Sequence, residues 1–249
     1  MTVGHRQLNV HSVVYHVGMQ ESPRRDGRRA RGDRTRRLVA HAAAQSATVR
    51  GLDAITVGTL AASTGVSKSG ILTVFGSREE IQVAAVAHAR ELYREHVIGP
   101  AWRLPPGRER LRGWIEAWRE YLRAGIFAGG CFVTTASVEY GHRDGPVAEA
   151  VRELKTTWLE LLRDDLRIAG SADAEADAFK VDAYLSAAVT RRELFGDDLV
   201  LDHARALALE VIDTAGTSQP GPFSCEDEST TPPDAPRVRG SSSAPSGGM

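Results

Sequence analysis

At 249 residues, 42% of them hydrophobic and 25% charged, the chain is long enough for one or two globular domains with a sizeable core. A formal net charge of −1 argues against a uniformly basic nucleic-acid coat protein, and no apolar run reaches the length of a membrane span. Only two cysteines occur, Cys131 and Cys225, the second in a low-complexity tail, so a disulfide framework is not expected and a reducing cytoplasm is.

Residues 1 to 18 show no helical period and no caps, and the N-terminus has no long apolar segment of the secretory kind. Met19 directly precedes an arginine-rich stretch and is expected to be the true translation start; an N-terminal peptide mapped upstream of it in native protein would exclude this. Between residues 24 and 37 eight arginines face only Asp26 and Asp33. Residues 1–30 are read as a disordered arm, Arg-rich from 24, whose charge either tracks DNA phosphates or does nothing beyond keeping the tail solvated. A first helix follows, with a thin apolar face of Leu38, Val39, Ala42 and Val49.

The run from Ile55 to Ile81, ITVGTLAASTGVSKSGILTVFGSREEI, carries the strongest signal. Thr56 is a hydroxyl N-cap, and Val57, Leu60 and Ala61 then recur at i, i+3, i+4, which gives a short helix one apolar face. Thr64-Gly65 ends it, because glycine enters the left-handed region without steric penalty, and Val66 is the pivot of the turn. Ser67 caps a second helix whose outward positions are Lys68, Ser69, Gly70, Leu72 and Thr73, small or cationic for the most part. Helix, glycine turn, helix at this spacing is a helix-turn-helix, although the same turn also makes an ordinary corner between two helices. Ser77-Arg78-Glu79-Glu80 matches the capping box of a third helix, with Arg78 in its first turn and within reach of a DNA backbone.

Taken together, Thr56, Leu60-Ala61, Gly65-Val66-Ser67-Lys68, Ile71 and Phe75-Gly76-Ser77-Arg78-Glu79-Glu80-Ile81 closely resemble the DNA-binding domain of TetR-type transcriptional repressors, over about residues 33 to 85. Two positions depart from that pattern: Leu72 stands where an aromatic residue is common, and Val74 where histidine is. Ser46-Ala47 occupy positions where larger apolar residues usually pack, so a lightly packed three-helix domain is expected. The resemblance implies that Lys68, Ser69, Gly70, Leu72 and Thr73 approach bases or adjacent phosphates. Thr56, Ser67, Arg78, Arg36 and Arg37 would position the backbone.

Beyond this domain nothing reads as a strand. Helices are predicted near 77–98, 107–124, 130–140, 146–169, 174–195 and 198–213, bounded by glycine and proline; with the first three they make nine, the count the resemblance implies. The last two carry Phe179, Leu185 and Val189, then Leu199, Leu201, Leu207, Leu209, Val211 and Ile212, more than one narrow stripe. The resemblance implies that they pair across a two-fold axis as a homodimer, and so a palindromic double-stranded operator. On the helix near 107–124, Leu111, Trp114, Ile115, Trp118, Tyr121 and Leu122 share one face. With Phe127, Cys131, Phe132 and Trp158 the aromatic members are candidates to line a pocket for an unknown small-molecule effector, a pattern equally typical of plain core.

No P-loop, dinucleotide fingerprint or nucleophile elbow is present. Glu139, His142 and Asp144 cluster weakly without a second ligand group, and His88 and His96 are too far apart to share a metal on one face. No enzyme activity, cofactor or metal is therefore expected. The fold class expected is all-α: a helix-turn-helix DNA-binding domain over 31–76, a helical effector-binding and dimerisation domain over 77–215, and a disordered tail over 216–249. The functional reading is a ligand-responsive, sequence-specific repressor. The alternatives are a helical carrier or enzyme without specific DNA binding, and an activator or nucleoid-like protein in which the basic arm dominates.

Overall fold

The computed structural model describes residues 23–216 and is all-α. Among the described residues there are nine principal helices: α1 (Pro23–Arg50), α2 (Val57–Thr64), α3 (Lys68–Val74), α4 (Arg78–Tyr93), α5 (Arg108–Arg123), α6 (Phe132–Tyr140), α7 (Pro146–Ile168), α8 (Ala174–Phe195) and α9 (Leu199–Thr214). A 3₁₀ turn, Leu52–Ala54, joins α1 to α2. The expected start at Met19 and the tail beyond 216, Cys225 included, lie outside the described residues.

α1 begins at Pro23, earlier than the arm-like reading of 1–30 allowed. Proline suits a first helical turn, and the arginine and alanine that follow are strong helix formers, so the basic segment extends the helix. Arg29, Arg31 and Arg34 project from it into solvent. Further along, α1 buries Val39, Ala40, Ala43, Ala44 and Ala47, small residues at i, i+4 spacing that let its axis come close to α4. Leu38 and Val49, read as part of the apolar face, are exposed instead. The interior of the three-helix domain is completed by Leu52, Ile55, Leu60, Ile71, Phe75 and Ile81.

The fourth helix continues past its predicted end. After Tyr93 it widens into a π turn, Arg94–Ile98, and then takes one more turn, Gly99–Ala101. Pro100 has no N–H to donate and would break a regular ladder; the wider turn absorbs this, with Gly99 N–H bonding the Arg94 carbonyl.

α5 buries the predicted face in full: Leu111, Trp114, Ile115, Trp118, Tyr121 and Leu122. Around it pack α4, α7 and α9, while α8 lies against both α7 and α9. Deep in this body Asp165, 1% exposed, takes Arg110 in a two-pronged ion pair at 2.6 Å for each bond and also accepts the Gly107 N–H at 3.1 Å. Arg108 donates to the Asp213 and Ala215 carbonyls, closing the end of α9 that has no intrahelical partners.

Candidate nucleic-acid interface and the joint behind it

The caps that define α2 and α3 are in place. Thr56 Oγ1 accepts from Thr59 N–H at 3.1 Å, and Thr59 Oγ1 accepts in return from Thr56 N–H at 3.2 Å. Gly65 sits at φ 70 and its N–H closes on the Ala61 carbonyl. Ser67 Oγ accepts from Gly70 N–H at 3.0 Å. Around this turn Lys68, Ser69, Leu72 and Thr73 are exposed and Gly70 is half-buried. A Cβ placed on Gly58 would stand 3.8 Å from Thr56 Oγ1 and 3.9 Å from Lys68 Cε, so the start of α2 and the Lys68 side chain lie side by side. Thr56, Ser67, Lys68, Ser69, Gly70, Leu72 and Thr73 thus form one continuous surface of small hydroxyls, a half-exposed leucine and one cation.

Arginine is where the sequence-based expectation and the structure part. Arg36 donates to the Val74 carbonyl at 2.9 Å and lies over the Phe75 ring at 4.6 Å, which caps α3 from behind. Arg78 donates through Nε to the Ile55 carbonyl at 2.9 Å and also bonds the Asp53 carbonyl, which ties α4 to the 3₁₀ turn. Both guanidinium groups are engaged within the domain, because unpaired carbonyls at the ends of α3 and of the 3₁₀ turn lie within their reach. Arg37 makes no such bond and lines a shallow cleft between α1 and α4 with Glu79 and Glu80. The capping box at Ser77 is also altered: Ser77 Oγ accepts from Glu80 N–H, but the Glu80 carboxylate takes the N–H of Gly76, one residue ahead of the cap.

Behind this face a polar joint connects the three-helix domain to the helical body, and nothing in the sequence pattern announced it. The Glu139 carboxylate at the end of α6 accepts from Leu52 N–H at 2.7 Å and from Asp53 N–H at 2.9 Å. Asp53 in turn accepts from Tyr140 Oη at 2.9 Å and bonds Arg143. The Arg143 hydrogen bond, with that of Tyr140, holds the Asp53 carboxyl below its usual range, while burial and the Asp53 partner push Tyr140 up to about 12. Gln82 of α4 donates to the Leu52 carbonyl at 2.9 Å. A second contact is made by α1 itself. Gln45 Nε2 donates to the Ile126 carbonyl at 2.7 Å, and Gly129 N–H donates to Thr48 Oγ1 at 3.1 Å. A Cβ on Gly129 would fall 2.1 Å from the Thr48 carbonyl oxygen, so only glycine permits this approach.

The residues expected to line an effector pocket are packed instead. Trp114, Trp118, Tyr121, Phe127, Cys131, Phe132 and Trp158 are all between 0% and 5% exposed. Tyr121, Phe127 and Phe132 meet ring to ring, with centroids 6.4 and 5.8 Å apart, and Trp114 meets Trp158 at 6.2 Å. Among them Trp158 borders a cleft between α4 and α7. Aromatic edges and faces fit one another here, and the rings are packed together in the core. Of the acidic and imidazole side chains considered for a metal, Glu139 is engaged at the joint, while His142 and Asp144 point into solvent.

A helix-turn-helix carried on a separate helical body is the architecture of helical transcriptional regulators. Residues 107–208 match the family described as tetracyclin repressor-like, C-terminal domain. Among curated proteins none matches this sequence. Among solved structures the chain resembles a TetR transcriptional regulator from Chloroflexus aurantiacus at 26% identity, covering 74% of this chain and 96% of that one with a TM-score of 0.67. A TetR-family regulator from Streptomyces coelicolor is 19% identical over 74% of this chain and 96% of its own, with a TM-score of 0.65. AibR, solved in complex with isovaleryl coenzyme A and operator DNA, is 16% identical over 70% and 97%, with a TM-score of 0.56. The chain shares the all-α fold of these TetR-family regulators, and its residues 107–208 match their C-terminal domain family.

Proposed function

We propose that the protein is a sequence-specific DNA-binding transcriptional regulator that works as a homodimer, most simply as a repressor released by a small molecule. The observation that carries this reading is the continuous surface from Thr56 to Thr73. There the capped ends of α2 and α3 bring Lys68 and small hydroxyl residues to the exterior without an acidic side chain among them. In the proposed mechanism Lys68, Ser69, Gly70 and Thr73 approach bases and neighbouring phosphates, and Leu72 makes apolar contact in the groove. Arg29, Arg31 and Arg34 on the first turns of α1 supply cations for the flanking backbone. Arg36 and Arg78 act indirectly, by fixing α3 and the turn ahead of α2.

Two such surfaces are needed to read a palindrome. Phe179 and Leu194 on α8, with Leu199 and Leu207 on α9, leave large apolar side chains 43% to 74% exposed on the final helical hairpin. In the proposal a second copy covers them about a two-fold axis and presents recognition helices to half-sites about 34–36 Å apart, or a variant of that spacing. An effector in the helical body would alter the joint at Glu139 and Asp53 and so the angle between the paired domains. A coupling of about 1–3 kcal/mol corresponds to roughly 5- to 150-fold release.

The test is binding of the purified protein to the duplex immediately upstream of its own gene, at two salt concentrations, against random competitor. Tight binding that survives competitor is expected. Binding lost equally to competitor and to salt would reduce the interaction to the basic end of α1 and bring the carrier reading forward.

A further inference from the structure

The cleft between α4 and α7 measures about 500 Å³, within the range that receives drug-sized molecules. Its floor is apolar, with the aromatic rings of Tyr93 and Trp158 set among Ile98, Leu154 and Leu161. Trp102, 53% exposed, forms part of its wall, an unusual amount of indole surface to leave in water. Its charged lining is of one sign. Arg90, Arg94 and Arg103 border it and no acidic side chain does.

The state of these arginines is telling. Elsewhere in the helical body Arg110, Arg112, Arg119, Arg123, Arg192 and Arg205 each bond a carboxylate. The side chains of Arg94 and Arg103 make no hydrogen bond and no ion pair among the described residues. Glu91 and Glu95 share a separate depression with Arg94 without bonding it. Arg90 gives one nitrogen to Glu153 at 3.1 Å, while its Nε is buried without a partner. The backbone here is irregular as well: Arg94 lies in the π turn of α4, a departure from regular helix that recurs at ligand sites.

We propose that this cleft binds a flat, mostly apolar organic anion, an aryl carboxylate being the simplest member of the class. Its rings lie on Tyr93, Trp158 and Trp102, and its carboxylate is taken by Arg94 and Arg103. An aromatic floor gives contact area to a planar body, and guanidinium forks recognise a carboxylate with directional, charge-assisted bonds. A cation is disfavoured by three arginines, and a neutral molecule leaves Arg94 and Arg103 unpaired. Occupancy reaches the far end of the helix whose near end, through Arg78 and Gln82, is bonded to the turn ahead of α2. The consequence for DNA rests on the regulator reading above; the binding chemistry does not.

The experiment is titration of the full chain with naphthoate, its methyl ester and naphthylmethylammonium, followed by calorimetry and tryptophan fluorescence. Naphthoate is expected to bind about tenfold or more tightly than the ester, the ammonium most weakly. In the double variant R94Q/R103Q, both positions being exposed, the acid-over-ester preference is expected to vanish while ester affinity is kept. Equal binding of acid and ester, a preference that persists in R94Q/R103Q, or no binding of any of the three up to their solubility overturns the proposal. The same preparations are assayed on the upstream duplex. Naphthoate binding without DNA binding keeps the cleft and removes the regulator reading; DNA binding without any ligand removes the cleft alone.

Discussion

Arginine shows most clearly how a residue type read from sequence takes its role from its neighbours. Lys68 has no side-chain partner among the described residues and is exposed, whereas Arg36 and Arg78 are bonded to carbonyls of their own domain. The two kinds of residue should therefore fail differently. Lys68→Ala should leave thermal stability unchanged, weaken operator binding and lower the salt slope by about one unit for each site lost; an unaltered slope in a filter or fluorescence titration would remove Lys68 from the contacts. Arg78→Gln should lower stability by about 1 kcal/mol in urea titration before any effect on DNA is considered, because two carbonyls lose their donor. The largest single-residue effect is expected at Asp165. Asp165→Ala leaves Arg110, 15% exposed, without its counter-charge and should cost about 3–5 kcal/mol by the same measurement.

At the scale of elements, the contact between α1 and α4 contains an imidazole pair, with His41 Nδ1 and His88 Nε2 3.0 Å apart. Burial first, then the neighbouring His41, lowers the His88 pKa below its ordinary value of 6.5, against the opposing pull of Glu91. The folded state then binds fewer protons than the unfolded state just below that value, so this contribution is complete above about pH 6.5 and declines as pH falls. Stability measured between pH 7.5 and 5.5 should fall, and His88→Asn should flatten the profile; an unchanged slope would show that His88 does not contribute in this window. The Asp53 carboxyl acts in a lower range. Its pKa is depressed by Arg143, so the joint keeps that contribution above the ordinary carboxylate pKa of about 4 and loses it in more acid solution. Glu139→Gln should weaken the joint without disturbing either domain's interior, detectable as faster amide exchange at Leu52 and Asp53.

For the molecule as a whole, the exposed apolar side chains of α8 and α9 set the expected assembly. Placing a charge there, as in Phe179→Glu together with Leu194→Glu, should shift a dimer to monomer in sedimentation and abolish tight operator binding. The isolated surface of one helix-turn-helix should keep only weak, salt-sensitive affinity. A wild-type chain that sediments as a monomer at micromolar concentration would remove the dimer from the mechanism. Since two of these side chains lie on each helix, single substitutions are expected to give partial effects.

The sequence by itself determined the helical class, the positions of α2, α3 and their caps, and the buried face of α5. These depend on local chemistry: a hydroxyl three residues before an amide, a glycine at the left-handed turn, an apolar period of 3.6. It also placed the ends of most later helices near glycine and proline. Tertiary structure alone decided whether an aromatic stripe encloses a pocket or fills a core, and here Tyr121, Phe127 and Phe132 interlock. It decided that Arg36 and Arg78 stabilise carbonyls 38 and 23 residues away, that Glu139 reaches back 87 residues to Leu52, and that the α4–α7 cleft holds unpaired arginines. Such pairings depend on which groups the packed helices bring within about 3 Å of one another, a distance that no local pattern encodes.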